Sequence, residues 1–283
     1  MPDNNNLKSM KIAFIGAGNL PEAIIYALVN KMNIEGQNII IFDKAKEQYK
    51  RYDKINIKKA CGIKEVLNSG DIIFLAVLPQ NFAELLPVIK YSGIDLTKKI
   101  FVSTAAGITM EYIESHIGQI KQKIEIIRTM PNKPVLLGKG MTALCCNDNT
   151  GENNFKTVCG IFESLGEIIV LPEENMNKVI SVNGSSPAYV YLFAEAILKS
   201  AVEQGFDEIE IYPAVLQSLI GSFEMLKNSG QTPSELIKSV AAPNGTTEKA
   251  LESFYSDDFT GIINKAMLAC TNRADELTKE LCE

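Results

Sequence analysis

The sequence is poor in the residues that most often build metal centres and nucleophilic sites. It has one histidine, His116, and six cysteines, none of which forms a Cys-x-x-Cys pair. Zinc sites need clustered Cys and His ligands, so we expect no metal. The scattered cysteines are interpreted as reduced thiols of a cytosolic protein.

Concentrated positive charge and long apolar runs are also missing. The net charge is −6 and no block of Lys and Arg occurs, which argues against an electrostatic nucleic-acid binder. The first ten residues are polar, and no stretch reaches the roughly 18 consecutive apolar residues of a membrane span. We therefore expect a cytoplasmic protein that binds a small molecule, with neither a membrane nor a nucleic acid as partner.

Short β-like runs alternate with helical patterns along the first part of the chain. Such alternation predicts an α/β fold, with a mostly parallel, doubly wound sheet that has helices on both faces and ligands at the carboxyl ends of the strands. We place this Rossmann-type domain at residues 1–172. The runs are residues 12–15, 38–42, 71–77, 99–103, 124–128, 141–145 and 167–171.

The remaining residues, 173–283, are predicted to form an all-α domain. Apolar helical segments cover residues 188–202, 213–228 and 257–281, and a capping-box pattern at residues 232–235 predicts a short additional helix. The segment 188–202 is apolar on all sides, which favours burial against a second subunit. Burial within its own chain is the alternative.

The first β-like run ends in a glycine turn, Gly16-Ala17-Gly18, and a helical pattern follows. This arrangement is typical of a dinucleotide-binding βαβ unit, in which the helix N-terminus holds a pyrophosphate. Pro21 replaces the third glycine of the pattern, and an ordinary strand-to-helix turn is the alternative. The second run ends at Asp43, at the spacing expected of a carboxylate that binds a ribose.

Six segments, in the same order, resemble the pyrroline-5-carboxylate reductase family. They are FIGAGN (14–19), AVLPQ (76–80), STAAGI (103–108), RTMPNKPV (128–135), NGSSPAY (183–189) and APNGTTEKAL (242–251). The resemblance implies an enzyme that uses NADH or NADPH to reduce the C=N bond of 1-pyrroline-5-carboxylate, forming L-proline. It also implies a helical dimerisation domain, homodimers that often assemble into decamers, and a substrate pocket to which the partner chain contributes.

The resemblance also assigns site residues. Thr247 is implied to be catalytic by hydrogen-bonding the ring nitrogen, Gly245 and Thr246 to lie along the substrate carboxylate, and Ser239 and Glu173 to border the substrate. Independently, the turn that runs into a helix at this loop offers N–H groups to an anion. The alternative is that Thr246 or Thr247 only caps that helix. The implied cofactor-binding residues are Gly16, Ala17, Gly18, Asn19, Leu20, Asp43, Lys44, Ala76, Val77, Leu78, Pro79, Ala105, Ala106 and Asn132.

Several positions depart from the family's pattern. Asp43 and Lys44 stand where the family usually has Asn-Arg, and Leu78 replaces a lysine. A carboxylate binds a free ribose diol and repels a 2′-phosphate, so these changes favour NADH. Ala242 and Asn244 replace Ser and Gly in the substrate loop. Two interpretations stay open: a working reductase, or a divergent relative with an altered imine or keto substrate or a non-catalytic, nucleotide-binding regulatory role.

Overall fold

The computed structural model describes residues 4–118 and 123–282. They form two compact units, the first reaching to Ser185 and including the chain from Cys270 onward, the second comprising Ser186–Ala269. The C-terminal segment groups with the first unit because Asn177 donates hydrogen bonds to Asp275 and Thr278, at 2.9 Å each. The two units divide after Ser185, which is C-terminal to the domain boundary predicted between residues 172 and 173. That boundary stays a prediction.

The first unit is built on one eight-stranded sheet in the order β3-β2-β1-β4-β5-β6-β7-β8. Neighbouring strands are parallel except β6 and β7, which are antiparallel. The predicted doubly wound sheet is confirmed, and the short edge strand β3 is an addition to it. The strands are β1 (Ile12–Ile15), β2 (Ile39–Phe42), β3 (Lys58–Lys59), β4 (Ile72–Leu75), β5 (Ile100–Ser103), β6 (Glu125–Pro131), β7 (Gly140–Cys146) and β8 (Gly166–Val170).

Helices cover both faces of this sheet. Successive side chains of a strand point to opposite faces, so Phe14 joins the core beneath α2 and α6, whereas Ile15 joins the core beneath α3, α4 and α5. The stacked rings of Phe14 and Phe74, 4.6 Å apart, fill the first of these cores. The helices are α1 (Asn4–Ser9), α2 (Asn19–Asn30), α3 (Ile63–Ser69), α4 (Phe82–Lys90), α5 (Met110–Ile117) and α6 (Glu152–Glu163).

The rest of the chain is helical, as predicted. The capping box is confirmed, because Thr232 and Glu235 exchange the side-chain-to-backbone bonds that define it. One predicted start is wrong: the helix expected from residue 213 begins at Glu208, where Asp207 accepts the first N–H groups. The helices are α7 (Ser186–Glu203), α8 (Glu208–Asn228), α9 (Pro233–Val240), α10 (Thr246–Ser256) and α11 (Phe259–Cys282).

The helical unit leaves apolar side chains uncovered. Helix α7 contains no buried residue, and its Tyr191, Leu192 and Phe193 are exposed. The alternative that this segment is buried within its own chain is therefore wrong. In the described part of the chain, no helix combines the length and the apolar character needed to cross a membrane. An apolar surface of this kind is typical of a protein interface.

Candidate dinucleotide and substrate sites

The turn between β1 and α2 requires its first glycine. Gly16 has φ +105°, and a Cβ there would lie 2.3 Å from the carbonyl oxygen of Ala76. Gly18, by contrast, has nothing within 4 Å of an added Cβ, so the space in front of the α2 N-terminus is open. A pyrophosphate needs this combination of close backbone approach and free N–H groups.

Two side chains hold the middle of this turn. Ala17 donates its N–H to Asp43 Oδ2 at 2.8 Å, and the Tyr52 hydroxyl donates to the Ala17 carbonyl oxygen at 3.0 Å. Burial, and to a smaller extent the charge of Glu22, raises the pKa of Tyr52 above its ordinary value, so the phenol keeps its proton. Sequence reasoning missed Tyr52, because no motif marks a tyrosine in the connection after β2.

A cavity of about 560 Å³ lies at the carboxyl ends of β1, β2, β4 and β5. Ala17, Asn19 and Leu20 form the turn and the start of α2 but are not among its lining residues. This is the switch point of the strand order, where open α/β sheets bind ligands. The predicted cofactor residues that line it are Gly16, Gly18, Asp43, Lys44, Ala76, Val77, Leu78, Pro79, Ala105 and Ala106.

The cavity rim also carries an ion pair that the sequence did not predict. Lys44 Nζ donates to Glu84 Oε1 at 2.7 Å, and Glu84 lies in the first turn of α4. An acidic residue in the first turn is common in helices, so nothing in the sequence distinguished this one. The other lining residues missed by sequence reasoning are Phe42, Gln48, Ile63, Asn81, Leu85, Val88 and Thr104, with Ile15 from the end of β1.

Asn132 and Ser239 also lie outside this lining. The Asn132 amide donates to the Asn183 carbonyl oxygen at 3.1 Å and accepts from Met141 N–H at 3.0 Å, so it ties the ends of β6 and β7 together. Its assignment to the cofactor stays a prediction. Ser239, in α9, donates its hydroxyl to the Leu236 carbonyl oxygen at 2.7 Å.

Glu173 takes part in a buried polar network. Arg128, only 2% exposed on β6, donates to Glu173 Oε1 at 3.3 Å and to Asn177 Oδ1 at 2.7 Å. The same Glu173 oxygen accepts the N–H of Met110 at 2.7 Å, where α5 begins. Glu173 therefore neutralises and positions a buried guanidinium. Its contact with substrate stays a prediction.

The predicted substrate loop is a turn that runs into α10. Gly245 is the N-cap residue without a side-chain cap, so the alternative that Thr246 or Thr247 caps the helix is wrong. Asn244 adopts φ +58° and donates its N–H to Glu248 Oε2 at 2.6 Å. Thr247 is half-buried, and its hydroxyl makes no hydrogen bond with the described residues.

Histidine and cysteine provide little reactivity here. His116 is exposed, with Nδ1 2.8 Å from the Tyr112 carbonyl oxygen. Burial raises the pKa of the Cys145 thiol to about 12 and that of Cys159 to about 11, so both stay protonated at neutral pH. Within residues 4–118 and 123–282, no group of three His, Cys, Asp or Glu side chains is placed to hold a metal.

A Rossmann sheet with an open glycine turn, followed by a helical unit, is typical of the class of nicotinamide-dependent oxidoreductases. Residues 11–107 match the family model "NADP oxidoreductase coenzyme F420-dependent", and residues 173–277 match "Pyrroline-5-carboxylate reductase dimerisation". The chain belongs to the pyrroline-5-carboxylate reductase family, as its sequence predicted.

Similarity to individual relatives extends over nearly the whole chain. The chain is 33% identical to pyrroline-5-carboxylate reductase of Escherichia coli K12 over a match that covers 95% of this chain and 98% of that enzyme. The Haemophilus influenzae enzyme is also 33% identical, over 94% of this chain and 97% of that enzyme. The crystal structure of Plasmodium falciparum pyrroline carboxylate reductase with NADP bound superposes with a TM-score of 0.85 at 28% identity, covering 96% and 99%.

The network around Arg128 predicts that Glu173 contributes to stability. Replacing Glu173 with Ala removes an acceptor from a buried guanidinium, and we expect the free energy of unfolding to fall by about 2 kcal/mol. Urea denaturation at fixed protein concentration measures this. Glu174→Ala, at the exposed neighbouring position, is the control and should leave stability unchanged. Equal stability of the two variants would show that Glu173 does not support Arg128.

Proposed function

We propose that the protein reduces 1-pyrroline-5-carboxylate to L-proline with NADH or NADPH. The observation that carries this proposal is the presence, in one chain of this family, of both a dinucleotide cavity and a Pro-Asn-Gly-Thr-Thr turn at a helix start. When bound, the reduced nicotinamide would supply a hydride to the carbon of the protonated C=N bond, whose nitrogen keeps its proton and becomes an amine, and the cofactor would be left oxidised.

The residues of the first unit suit a dinucleotide. The open space before α2 accepts the pyrophosphate, whose charge the free N–H groups and the helix dipole favour. Ala76–Pro79 and the two alanines after β5 form apolar walls around the remaining volume. The chain thereby binds and orients the cofactor, while Ala17, Asn19 and Leu20 shape the turn.

The loop before α10 suits the substrate carboxylate. The first N–H groups of a helix have no partner within it, and they hydrogen-bond anions readily. We assign Gly245 and Thr246 to the carboxylate, and Ser239 to the edge of the substrate. Thr247 is assigned to the ring nitrogen, with its hydroxyl oxygen accepting from the N–H of the protonated ring. The hydroxyl is available for this because it makes no hydrogen bond with the described residues.

We further propose that NADH is the preferred cofactor. Asp43 lies in the cavity lining where a ribose would be bound, and its carboxylate disfavours a 2′-phosphate there. Lys44, the cation nearest in sequence, is paired with Glu84 and offsets only a small part of this repulsion when it swings away from that partner toward the phosphate. The preference is therefore modest rather than absolute.

The chain carries a dimerisation domain, and we propose a homodimer or a multiple of it, such as a decamer. The exposed apolar residues of α7 and the similarly exposed Ile220 and Phe223 of α8 support this assembly, since water disfavours such a surface. A cytoplasmic location and the lack of a nucleic-acid partner stay predictions from composition.

The activity is tested directly by supplying pyrroline-5-carboxylate with either cofactor. We expect proline by amino-acid analysis in both reactions, with a higher kcat/KM for NADH. A reaction without protein is the control. If folded protein that binds nucleotide makes no proline, the non-catalytic interpretation replaces the reductase.

Thr247 is tested by removing only its hydroxyl. Thr247→Val keeps the side-chain shape, and losing a hydrogen bond of about 1.5–3 kcal/mol to a charged group should lower kcat/KM by roughly 10- to 100-fold. Thr247→Ser retains the hydroxyl and should keep most of the activity, and neither variant should change the midpoint of thermal unfolding. Full activity in Thr247→Val with a loss in Thr247→Ser would show that the methyl group, not the hydroxyl, matters.

The assembly is tested by light scattering of the purified protein. We expect a molar mass at least twice that of the 31.1 kDa chain at micromolar concentration. Leu192→Glu places a charge on the apolar face of α7 and should shift the protein towards monomer with loss of activity. Glu210→Gln, a charge change at the exposed start of α8, should not. An active monomer would contradict the proposal.

A further inference from the structure

Among the described residues, Lys44 is the only cation that lines the dinucleotide cavity, and it is already paired. Lys44 follows β2, Glu84 lies near the start of α4 after β4, and β2 and β4 flank β1 on its two sides. The Lys44–Glu84 pair, 2.7 Å between Nζ and Oε1, thus bridges the two segments across the end of β1. Three charged residues of the described chain line this rim, and their charges sum to −1. They are Asp43, Lys44 and Glu84.

The other carboxylate at the rim is fixed by the backbone. Asp43 accepts the N–H of Ala17 with one oxygen and that of Ala45 with the other, both at 2.8 Å. Replacing Asp43 would therefore disturb the glycine turn as well as the charge at the ribose. Glu84 has no such role, since its side chain and that of Lys44 are each 70% exposed, and within the described part of the chain neither side chain makes another ion pair or hydrogen bond.

Resting on the proposed use of NADH or NADPH, we propose that Glu84 is a specificity-determining residue that selects against a ribose 2′-phosphate by holding Lys44 in the Lys44–Glu84 pair. A 2′-phosphate that entered this rim would face the Asp43 carboxylate, and the ammonium of Lys44 would have to leave Glu84 to reach it. A free 2′-hydroxyl carries no charge and leaves the pair intact. Glu84 thereby acts through Lys44.

Lys46 does not replace Lys44 in this role. Its ammonium lies 5.0 Å from the centroid of the Phe42 ring and 4.9 Å from that of Tyr49, and it donates to the Tyr49 hydroxyl at 3.2 Å. Two aromatic faces and a hydroxyl engage this cation. Lys46 is therefore occupied beside the cavity rather than presented to it.

The test measures binding of NADP+ and NAD+ by titration calorimetry, without an imine substrate. Glu84→Gln frees Lys44, and NADP+ should bind about five-fold more tightly, the scale of one exposed charge pair, with NAD+ changed less than about two-fold. Raising the salt concentration should shrink the gain, because exposed charges are screened. Glu152→Gln removes a carboxylate that pairs with Lys156 on α6 and is the control, with no expected change.

The double variant Glu84→Gln/Lys44→Gln separates the two ways in which Glu84 could act. If Glu84 acts by holding Lys44, the gain in NADP+ affinity disappears in the double variant, whereas Lys44→Gln alone has little effect. A gain that persists without Lys44, or no gain in Glu84→Gln, overturns the proposal. Because binding is measured without turnover, a protein that makes no proline but shows the shift would refute only the reductase activity.

Discussion

The backbone of one turn joins three strands at the edge of the sheet where the cavity lies. Gly16 donates its N–H to the carbonyl oxygen of Phe42, at the end of β2, and Ala76 donates to that of Ile15, at the end of β1, each at 2.8 Å. The absence of a side chain at position 16 permits this approach, since a Cβ would lie 2.3 Å from the Ala76 carbonyl oxygen. The cavity and the rim charges all depend on this contact.

The sheet could be predicted because its central strands, such as β1, β4 and β5, are buried on both faces and appear as continuous apolar runs. The direction of each strand could not be predicted, since the apolar pattern of β7 is the same whether the strand runs parallel or antiparallel to β6. Lys58–Lys59 is too short and too polar to signal a strand, and its place is set by pairing with β2. The start of α8 was missed because Pro213 suggested a first turn, while the Asp207 cap lies earlier.

For the candidate site, the sequence predicted residues next to one another in motifs better than residues brought together by folding. The glycine turn and Ala76–Pro79 are contiguous, and they line one cavity. Glu84 is 40 positions from Lys44, and Glu173 is 45 from Arg128, so no local pattern relates either pair. Arg128 itself gave a signal, a charge in the middle of an apolar strand, which demands a buried partner.

The helical unit has the opposite character to the sheet unit. Side-chain caps mark the starts of α8, at Asp207, and of α9, in the box at Thr232, but few of the unit's apolar side chains are covered. Local interactions therefore specify where these two helices begin, while little within the unit specifies a core. Because residues 173–277 match a dimerisation domain, the exposure of these apolar side chains is a property of assembly rather than a defect of the sequence.

The guanidinium of Arg128 has a consequence for how this protein can change over generations. Its fork reaches Glu173 and Asn177 in two directions, and a lysine has one point charge with which to replace it. Replacing Arg128 removes a partner from both Glu173 and Asn177, and replacing either of those removes an acceptor from the buried guanidinium, so each single substitution is disfavoured. We expect related sequences to keep Arg128, Glu173 and Asn177 together or to replace all three. This coupling requires no contact with cofactor or substrate.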